Sequence, residues 1–114
     1  MTDCIFCKIA RGDIKAEFLY EDDRVVAFRD LHPQAPVHVL IIPRAHADSI
    51  LDMNGEHAGV MDAVVAAVKA LAAKLGCAER GFRVVANVGP DGGQSVHHLH
   101  FHLLAGRHLG WPPG

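Results

Sequence analysis

The feature of this sequence that most constrains its fold is a strict alternation of histidine and apolar residues between His98 and Leu103. Successive side chains of a β-strand point to opposite faces, so the alternation predicts a strand with one apolar face and one histidine face. Neighbouring imidazoles on that face would lie about 6.6 Å apart along the strand. The histidines are His98, His100 and His102, opposite Leu99, Phe101 and Leu103.

Three interpretations of such a histidine face differ in their chemistry. It can be an ordinary polar surface. It can be a metal site, because imidazoles two residues apart on a strand can share one ion. It can also be a centre of covalent catalysis, because imidazole titrates near neutral pH and serves as nucleophile, acid or base.

A glycine-rich segment, Gly89-Pro90-Asp91-Gly92-Gly93-Gln94-Ser95, directly precedes this strand. Glycine-rich turns can expose backbone N–H groups to an anion, although most of them are plain turns. Next to a row of histidines, the segment predicts a phosphate cradle, to which the Ser95 hydroxyl adds a donor. The combination favours phosphoryl chemistry over acyl transfer, for which no separate nucleophile and oxyanion pair is visible.

The rest of the pattern predicts an α+β domain with a largely antiparallel sheet. The strongest helix signal runs over Gly55–Leu75, where apolar residues recur at spacings of three and four. Asn54 is the expected N-cap of this helix and Gly76 its expected stop. A short helix is expected at Ile5–Arg11, and connecting chain at His46–Asp52. Strands are expected at Phe18–Glu21, Val25–Asp30, Val37–Pro43, Phe82–Val88 and Val96–Ala105.

Length and charge narrow the classes of protein. The chain has 114 residues, so we expect residues 1–114 to form a single domain. A net charge of −2 leaves no electrostatic footprint for a nucleic acid. The apolar runs are too short for a membrane span, and the N-terminus lacks the pattern of a secretory signal. The odd number of cysteines, three, argues against a disulfide framework. We therefore expect a cytoplasmic protein without a nucleic-acid or membrane partner.

The segment His98–Leu104 also matches the histidine triad motif, in which histidines alternate with apolar residues. Asp91–Val96, Trp111–Gly114 and Phe28–His38 resemble the Hint branch of the histidine triad (HIT) superfamily, so the resemblance spans nearly the whole chain. It implies the HIT fold, an antiparallel five-stranded sheet with one long and one short helix. It also implies a homodimer whose sheets run on across the interface, with the C-terminal tail near the partner's active site.

The resemblance implies the activity of a purine nucleoside phosphoramidase. Such an enzyme cleaves the P–N bond of adenosine 5′-phosphoramidate and related amidates, and releases AMP and an amine. His100 would attack phosphorus and become transiently nucleotidylated. His38 would orient the nucleophile and relay a proton, and His102 would touch the α-phosphate. Ser95 would help to protonate the leaving amine, and the chemistry would need no cofactor.

The resemblance also implies which residues hold the nucleotide. Asn87 and the backbone near Gly93 and Gln94 would contact the phosphate, and Asp30 would accept hydrogen bonds from the ribose hydroxyls. From the residues alone, Asp30 could instead shape a turn, and the apolar residues could be core. The residues that would enclose the base are Ile5, Phe6, Ile9, Phe28 and Leu31.

Two other functions are weighed against the phosphoramidase. A dinucleoside polyphosphate hydrolase of the related Fhit branch shares the nucleophile, but the loop Gly92–Ser95 and the ending Trp-Pro-Pro-Gly favour Hint. A non-enzymatic nucleotide-binding or scaffold module would bind AMP and act through partners. The intact set of His38, His100, His102 and Ser95 argues against such an inactive site.

Cys4 and Cys7 form a C-x2-C pair, a spacing shared by metal hooks and redox pairs. A closed tetrahedral zinc site needs two further ligands. Some superfamily members that carry this pair bind structural zinc, and His46 and His98 match their two histidine ligands. The best-known eukaryotic Hint proteins lack the pair, and the alternative is reduced, metal-free cysteines. Cys77 is expected to be an inert buried thiol, and the histidines expected at the surface are His32, His57, His97 and His108.

Overall fold

The structure, a computed structural model, describes residues 4–114. At its centre lies a five-stranded antiparallel sheet. Its strands are β1 (Tyr20–Glu21), β2 (Val25–Arg29), β3 (Val37–Pro43), β4 (Arg83–Val85) and β5 (Phe101–Ala105). They are ordered β1-β2-β3-β5-β4, with α1 (Ile5–Arg11) and α2 (Val60–Lys74) beside them. The predicted α+β class and the sheet of the HIT fold are confirmed. Within residues 4–114, neither helix is long and apolar enough to cross a membrane.

Four of the five strands are shorter than predicted, while β3 has the predicted bounds. The largest difference is at β5, which begins at Phe101, so that His98 and His100 precede the strand ladder. The backbone of this segment is bonded elsewhere, because the N–H of Leu99 donates to the carbonyl oxygen of Ala47 at 2.7 Å. The expected strand over 96–105 is therefore wrong in its first half.

The alternation of side chains nevertheless continues through this segment. Leu99, Phe101 and Leu103 are all buried in one core, which they share with α2. On the other side, the rings of His98 and His100 both pack edge-on against Phe6 of α1. The histidines therefore lie between the sheet and the short helix, and not on a solvent-exposed face.

The long helix α2 begins later than predicted, at Val60. Asn54 does not cap it; its side chain caps a separate 3-10 turn over Gly55–His57. Gly59, between the turn and the helix, has a φ of 80°, a left-handed conformation that interrupts the helix and favours glycine. At the other end, the helix stops just before Gly76, as predicted.

The short helix α1 has the predicted bounds and is capped by a cysteine. The Sγ atom of Cys4 accepts the backbone N–H of Cys7 at 3.3 Å. This N-cap holds the two cysteines of the C-x2-C pair together at the start of the helix. The expected connecting chain, His46–Asp52, contains a short 3-10 turn at Ile50–Asp52.

Candidate active site and metal centre

His100 is nearly buried, at 5% exposure, between the sheet and α1. Its Nδ1–H donates to the backbone carbonyl oxygen of His98 at 2.7 Å. The ring of Phe6 packs against it at a centroid distance of 5.2 Å and an interplanar angle of 84°. Because the proton of the neutral ring is on Nδ1, Nε2 keeps its lone pair. The site therefore holds a fixed imidazole with a nucleophilic nitrogen.

His38 and His102 form a hydrogen-bonded pair beside His100. Nδ1 of His38 accepts the backbone N–H of Gln34 at 3.0 Å, so the proton of His38 is on Nε2. That Nε2–H donates to Nδ1 of His102 at 2.8 Å, which puts the proton of His102 on its own Nε2. The Asp30 carboxylate lies 3.5 Å from the same His38 nitrogen. His102 is thereby left with an Nε2–H to donate, and the hydrogen-bond partner of His38 is His102 instead of His100.

The same two imidazoles are neutral at neutral pH. Burial, together with the neighbouring His100 and His38, lowers the pKa of His102 from 6.5 to about 4. Burial also lowers the pKa of His38, and the nearby Asp30 carboxylate opposes part of that shift. The lowered pKa values agree with the hydrogen bonds, which require a single N–H on each of the two rings.

The depressed pKa of His102 predicts a loss of stability in acid. Between pH 6.5 and about pH 4, the unfolded chain protonates this histidine and the folded chain does not. The unfolded state then binds more protons, so the free energy of unfolding falls as the pH falls through this window. For the metal-free protein, we expect His102 to account for a loss of about 2 kcal/mol between pH 7 and pH 5. Urea unfolding of the wild type and of His102→Gln at both pH values measures this loss; equal pH dependence in the two proteins would contradict it.

The glycine-rich segment forms a compact loop that is closed by two side chains, Asn87 just before it and Gln94 near its end. Nδ2–H of Asn87 donates to the carbonyl oxygen of Gly92 at 2.6 Å. Oε1 of Gln94 accepts the backbone N–H of Gly89 at 3.1 Å. A Cβ atom at Gly92 would collide with the carbonyl oxygen of Val88, so glycine is required there.

The backbone donors of this loop differ from the expectation. The N–H groups of Gly93 and Gln94 donate to the carbonyl oxygens of Pro90 and Gly89, so both are used within the loop. They shape the turn instead of facing an anion. Ser95, at the end of the loop, is exposed and keeps its side chain at the surface.

An apolar cleft of about 290 Å³ lies beside α1. Four of the five residues expected to enclose a base line it, namely Ile5, Ile9, Phe28 and Leu31. The fifth, Phe6, does not line the cleft; its ring packs against those of Phe28 and His100, at centroid distances of 5.8 and 5.2 Å. Leu31 is 90% exposed, so it forms a rim more than a wall. The cleft is thus connected to the candidate nucleophile through one aromatic ring.

A second cleft, of about 350 Å³, opens on His38 and His102, and Asn87 also lines it. Two further lining residues, Arg83 and Arg107, were missed by the sequence analysis. Alternation along β4 could have indicated Arg83, because it lies two residues before the position paired with His102. Arg107 donates to the carbonyl oxygen of Gln34, and the N–H of Gln34 donates to His38. The two arginines make this cleft more basic than the net charge of the chain suggests.

The four predicted metal ligands, Cys4, Cys7, His46 and His98, are brought together at one place. Their ligand atoms all lie within 4.8 Å of one another. Sγ of Cys4 is 3.2 Å from Nδ1 of His98, and Sγ of Cys7 is 3.3 Å from Nδ1 of His46. The two Nδ1 atoms are 3.1 Å apart. Ligand atoms of a tetrahedral zinc site are roughly 3.3–3.8 Å apart, so the spacing fits an ion of this size.

The hydrogen bonds of both histidines leave their Nδ1 lone pairs directed at this place. Nε2–H of His98 donates to the carbonyl oxygen of Pro43 at 2.9 Å, and Nε2–H of His46 donates to the Asp48 carboxylate at 2.7 Å. Burial lowers the pKa of His98 to about 4, which keeps its Nδ1 unprotonated. Burial and the adjacent Cys4 thiol raise the pKa of Cys7. A bound cation would lower this pKa again, because it stabilises the thiolate. Two thiols and two imidazole lone pairs at this spacing suit zinc.

One histidine near this centre is not where the sequence analysis expected it. His57, expected at the surface, is only 4% exposed. Its Nδ1 accepts the backbone N–H of Asn54, and its Nε2–H donates to the carbonyl oxygen of His46 at 3.1 Å. The spacing of Asn54 and His57 is that of a capping box, a signal that could have revealed this role. Cys77 is buried, and His32, His97 and His108 are exposed, as expected.

The sequence is similar to those of known proteins over almost its whole length. The model of the HIT domain matches residues 11–109. An uncharacterised HIT-like protein of Synechococcus elongatus is 52% identical over 112 residues, which cover 98% of this chain and 97% of that protein. The purine nucleoside phosphoramidase of Escherichia coli is 43% identical over 108 residues, which cover 95% and 91% of the two chains.

Solved structures agree with the sequence comparison. A HIT family hydrolase from Legionella pneumophila superposes with a TM-score of 0.92 at 47% identity, covering 98% of this chain and all of that one (100%). A histidine triad nucleotide-binding protein from Candida albicans superposes with a TM-score of 0.82 at 34% identity, covering 96% of this chain and 83% of that one. With the sheet, the histidine segment and the matched domain in agreement, the chain belongs to the HIT domain family.

Proposed function

We propose that this protein is a purine nucleoside phosphoramidase that cleaves the P–N bond of adenosine 5′-phosphoramidates through a nucleotidyl-histidine intermediate. The observation that carries the proposal is the set of hydrogen bonds around the site's histidines, from which their tautomers follow. His100 has an unprotonated Nε2, and His102, at a centroid distance of 5.0 Å, has an Nε2–H to donate. One imidazole can therefore attack phosphorus while its neighbour binds a phosphoryl oxygen. The 43% identity to the Escherichia coli purine nucleoside phosphoramidase supports this choice of substrate.

In the first step, Nε2 of His100 forms a bond to phosphorus while the P–N bond breaks. The leaving nitrogen takes a proton, which the Ser95 hydroxyl supplies, because an amine leaves well only when it is protonated. The positive charge that develops on the His100 ring is stabilised by the His98 carbonyl oxygen, 2.7 Å from Nδ1. His102 stabilises the charge on the phosphoryl oxygens through its Nε2–H.

In the second step, water attacks phosphorus and the bond between phosphorus and Nε2 of His100 breaks. AMP is released, and the attacking water returns a proton to Ser95. His100 recovers its lone pair, so the site is ready for another turnover. Splitting one difficult displacement into two easier ones is the general gain of a covalent intermediate.

The two clefts divide the recognition of the nucleotide. We infer that the apolar cleft beside α1 takes the purine base and that Asn87 and His102 take the phosphate. We assign the ribose hydroxyls to Asp30. Its Oδ1 accepts the His32 N–H at 2.7 Å, and its Oδ2, which lies 3.5 Å from Nε2 of His38, can accept a further bond because a carboxylate oxygen has two lone pairs. Gly93 and Gln94 contribute the shape of the loop more than direct donors.

We also propose that Cys4, Cys7, His46 and His98 hold a structural zinc ion. When bound, the ion would link the start of α1 to the segment before β5, and the reaction itself would need no metal. His98 serves both sites, because its ring faces the ion and its carbonyl oxygen holds His100. Through this second contact, the metal centre would help to position His100 without taking part in the reaction.

We propose that the chain acts as a single-domain homodimer. β4 is a three-residue strand at the edge of the sheet, where unpaired backbone groups can join a second copy. Phe82 and Val84 at this edge are 40% and 41% exposed, and Met61 and Val65 of α2 are 45% and 54% exposed. A partner strand beside β4 would extend the sheet and cover the side chains of Phe82 and Val84. Light scattering measures the mass in solution, and a mass of one chain would contradict this part of the proposal.

A comparison of two substrates tests the proposed reaction. Adenosine 5′-phosphoramidate is expected to be cleaved with a kcat/KM at least about 100-fold higher than diadenosine tetraphosphate, because the proposed mechanism uses Ser95 as an acid that protonates a leaving nitrogen. Release of AMP from each, followed by chromatography, gives both constants. A preference for the dinucleotide would support the Fhit-like alternative. Binding of AMP without turnover of either substrate would support a nucleotide-binding module.

A further inference from the structure

The three residues His46, Ala47 and Asp48, which we call the bracket, connect the metal centre to the rest of the site. Each of their backbone carbonyl oxygens accepts a hydrogen bond from a different part of the chain. The donors are the His57 ring at 3.1 Å, the Leu99 N–H at 2.7 Å and the Gln94 side-chain amide at 2.5 Å. The bracket is therefore held by the turn before α2, by the residue preceding His100 and by the glycine-rich loop Gly89–Ser95, which we call the catalytic loop.

Asp48 contacts both the metal centre and the loop. Its carboxylate Oδ1 accepts the Nε2–H of His46 at 2.7 Å, which orients the other ring nitrogen towards the ion. Its carbonyl oxygen accepts the amide of Gln94 at 2.5 Å. Gln94 uses its remaining amide N–H for Val96 and its Oε1 for Gly89, so it closes the loop at both ends. A change in the position of His46 is thus transmitted through one residue to the loop.

A second connection runs beside the first. Leu99, held by the bracket, lies between His98 and His100. His98 directs its ring at the ion and its carbonyl oxygen at the nucleophile. Both connections end on the elements that position the reacting groups, so order in the metal centre and order in the catalytic loop depend on the same backbone segment.

We propose that Asp48 is a positioning residue that couples occupancy of the metal centre to the order of the catalytic loop, an inference that rests on the zinc site and the reaction proposed above. A carboxylate that accepts the second N–H of a metal-bound histidine fixes the orientation of the ring and raises its basicity. The ion in turn fixes His46, and with it the Asp48 carbonyl oxygen that Gln94 requires. Asp48 touches neither substrate nor ion.

Zinc affinity tests the first half of this coupling. Removal of the carboxylate in Asp48→Ala is expected to weaken Zn²⁺ binding about 10- to 100-fold, measured by competition with a chelating dye. Asp48→Asn should retain part of the affinity, because its amide oxygen still accepts the His46 N–H. The matched control is Asp23→Ala, which removes an exposed carboxylate from the β1–β2 turn and should leave the affinity unchanged. An unchanged Kd in Asp48→Ala would overturn the proposal.

Hydrogen exchange of the amides from Gly89 to Leu99 tests the second half. Adding Zn²⁺ to the metal-free wild type is expected to slow exchange in this segment, and Asp48→Ala should require about 10- to 100-fold more Zn²⁺ for the same protection. Saturating Zn²⁺ should restore protection in the variant, because the Asp48 carbonyl group is still present. Exchange that does not respond to Zn²⁺ in the wild type would overturn the coupling. Affinity and exchange are measured without substrate, so a failure of the phosphoramidase proposal would be seen separately, in the substrate comparison.

Discussion

Replacing His100 by alanine is expected to lower kcat/KM for adenosine 5′-phosphoramidate by about 10⁴-fold or more. The variant lacks the buried imidazole that the His98 carbonyl oxygen holds, through Nδ1, at the proposed reaction centre. Steady-state release of AMP measures the loss. Alanine leaves a cavity beside Phe6, so His100→Gln, which keeps more of the side-chain volume, should be measured beside His100→Ala. We expect the two variants to be equally inactive.

The matched control is His97→Ala. His97 is exposed and three residues away on the same segment, so its removal tests whether any histidine nearby affects turnover. We expect its kcat/KM to stay close to that of the wild type. Retained turnover in His100→Ala, with the fold intact by circular dichroism, would remove His100 from the mechanism.

The second large effect is expected for Cys7→Ser. Serine is a poor ligand for zinc compared with a thiolate, so bound zinc should fall from about one ion per chain to nearly none. An ion present at about a thousand times its Kd stabilises the native state by roughly 4 kcal/mol. For a chain of this size that loss corresponds to a decrease in Tm of roughly 10–20 °C. Atomic absorption measures the zinc, and calorimetry measures the Tm.

Cys77→Ser is the control for this prediction. Cys77 is buried as well, at 5% exposure, but it lies in a separate core with Ala72 and Ala105. Its replacement should cost some stability without changing the zinc content. A chelator should lower the Tm of the wild type and of Cys77→Ser, and leave that of Cys7→Ser unchanged. Equal zinc content in Cys7→Ser and the wild type would contradict the metal centre.

Much of the fold could be predicted because periodicity reports which side of an element is buried. The alternation of Leu99, Phe101 and Leu103 identified one core face correctly, even where no strand is formed. What alternation cannot show is whether the opposite face meets water. Here α1 covers that face, so His98 and His100 are buried instead of exposed. This depends on a contact between distant segments, which a local pattern does not contain.

Local exceptions to periodicity account for the remaining differences. The apolar repeat of α2 could not show that Gly59 adopts a positive φ and delays the start of the helix. The role of His57 depends on a turn that competes with the helix for Asn54. Asp48 was overlooked because a single aspartate in a connecting segment carries no pattern, and only the fold brings it to His46 and Gln94. The spacing of Cys4 and Cys7 indicated half of a possible metal site, and the resemblance to the family supplied His46 and His98. The tautomers of the two histidines required their hydrogen-bond partners in the structure.

Intact-mass analysis during turnover shows directly whether His100 carries the nucleotide. The protein is quenched during turnover of adenosine 5′-phosphoramidate, beside His100→Ala treated in the same way. In the wild type we expect a transient gain of one adenylyl group that is lost on completion of the reaction, and in the variant we expect no gain. An adenylyl adduct of equal amount in His100→Ala would contradict it, because the covalent bond would then be on another residue.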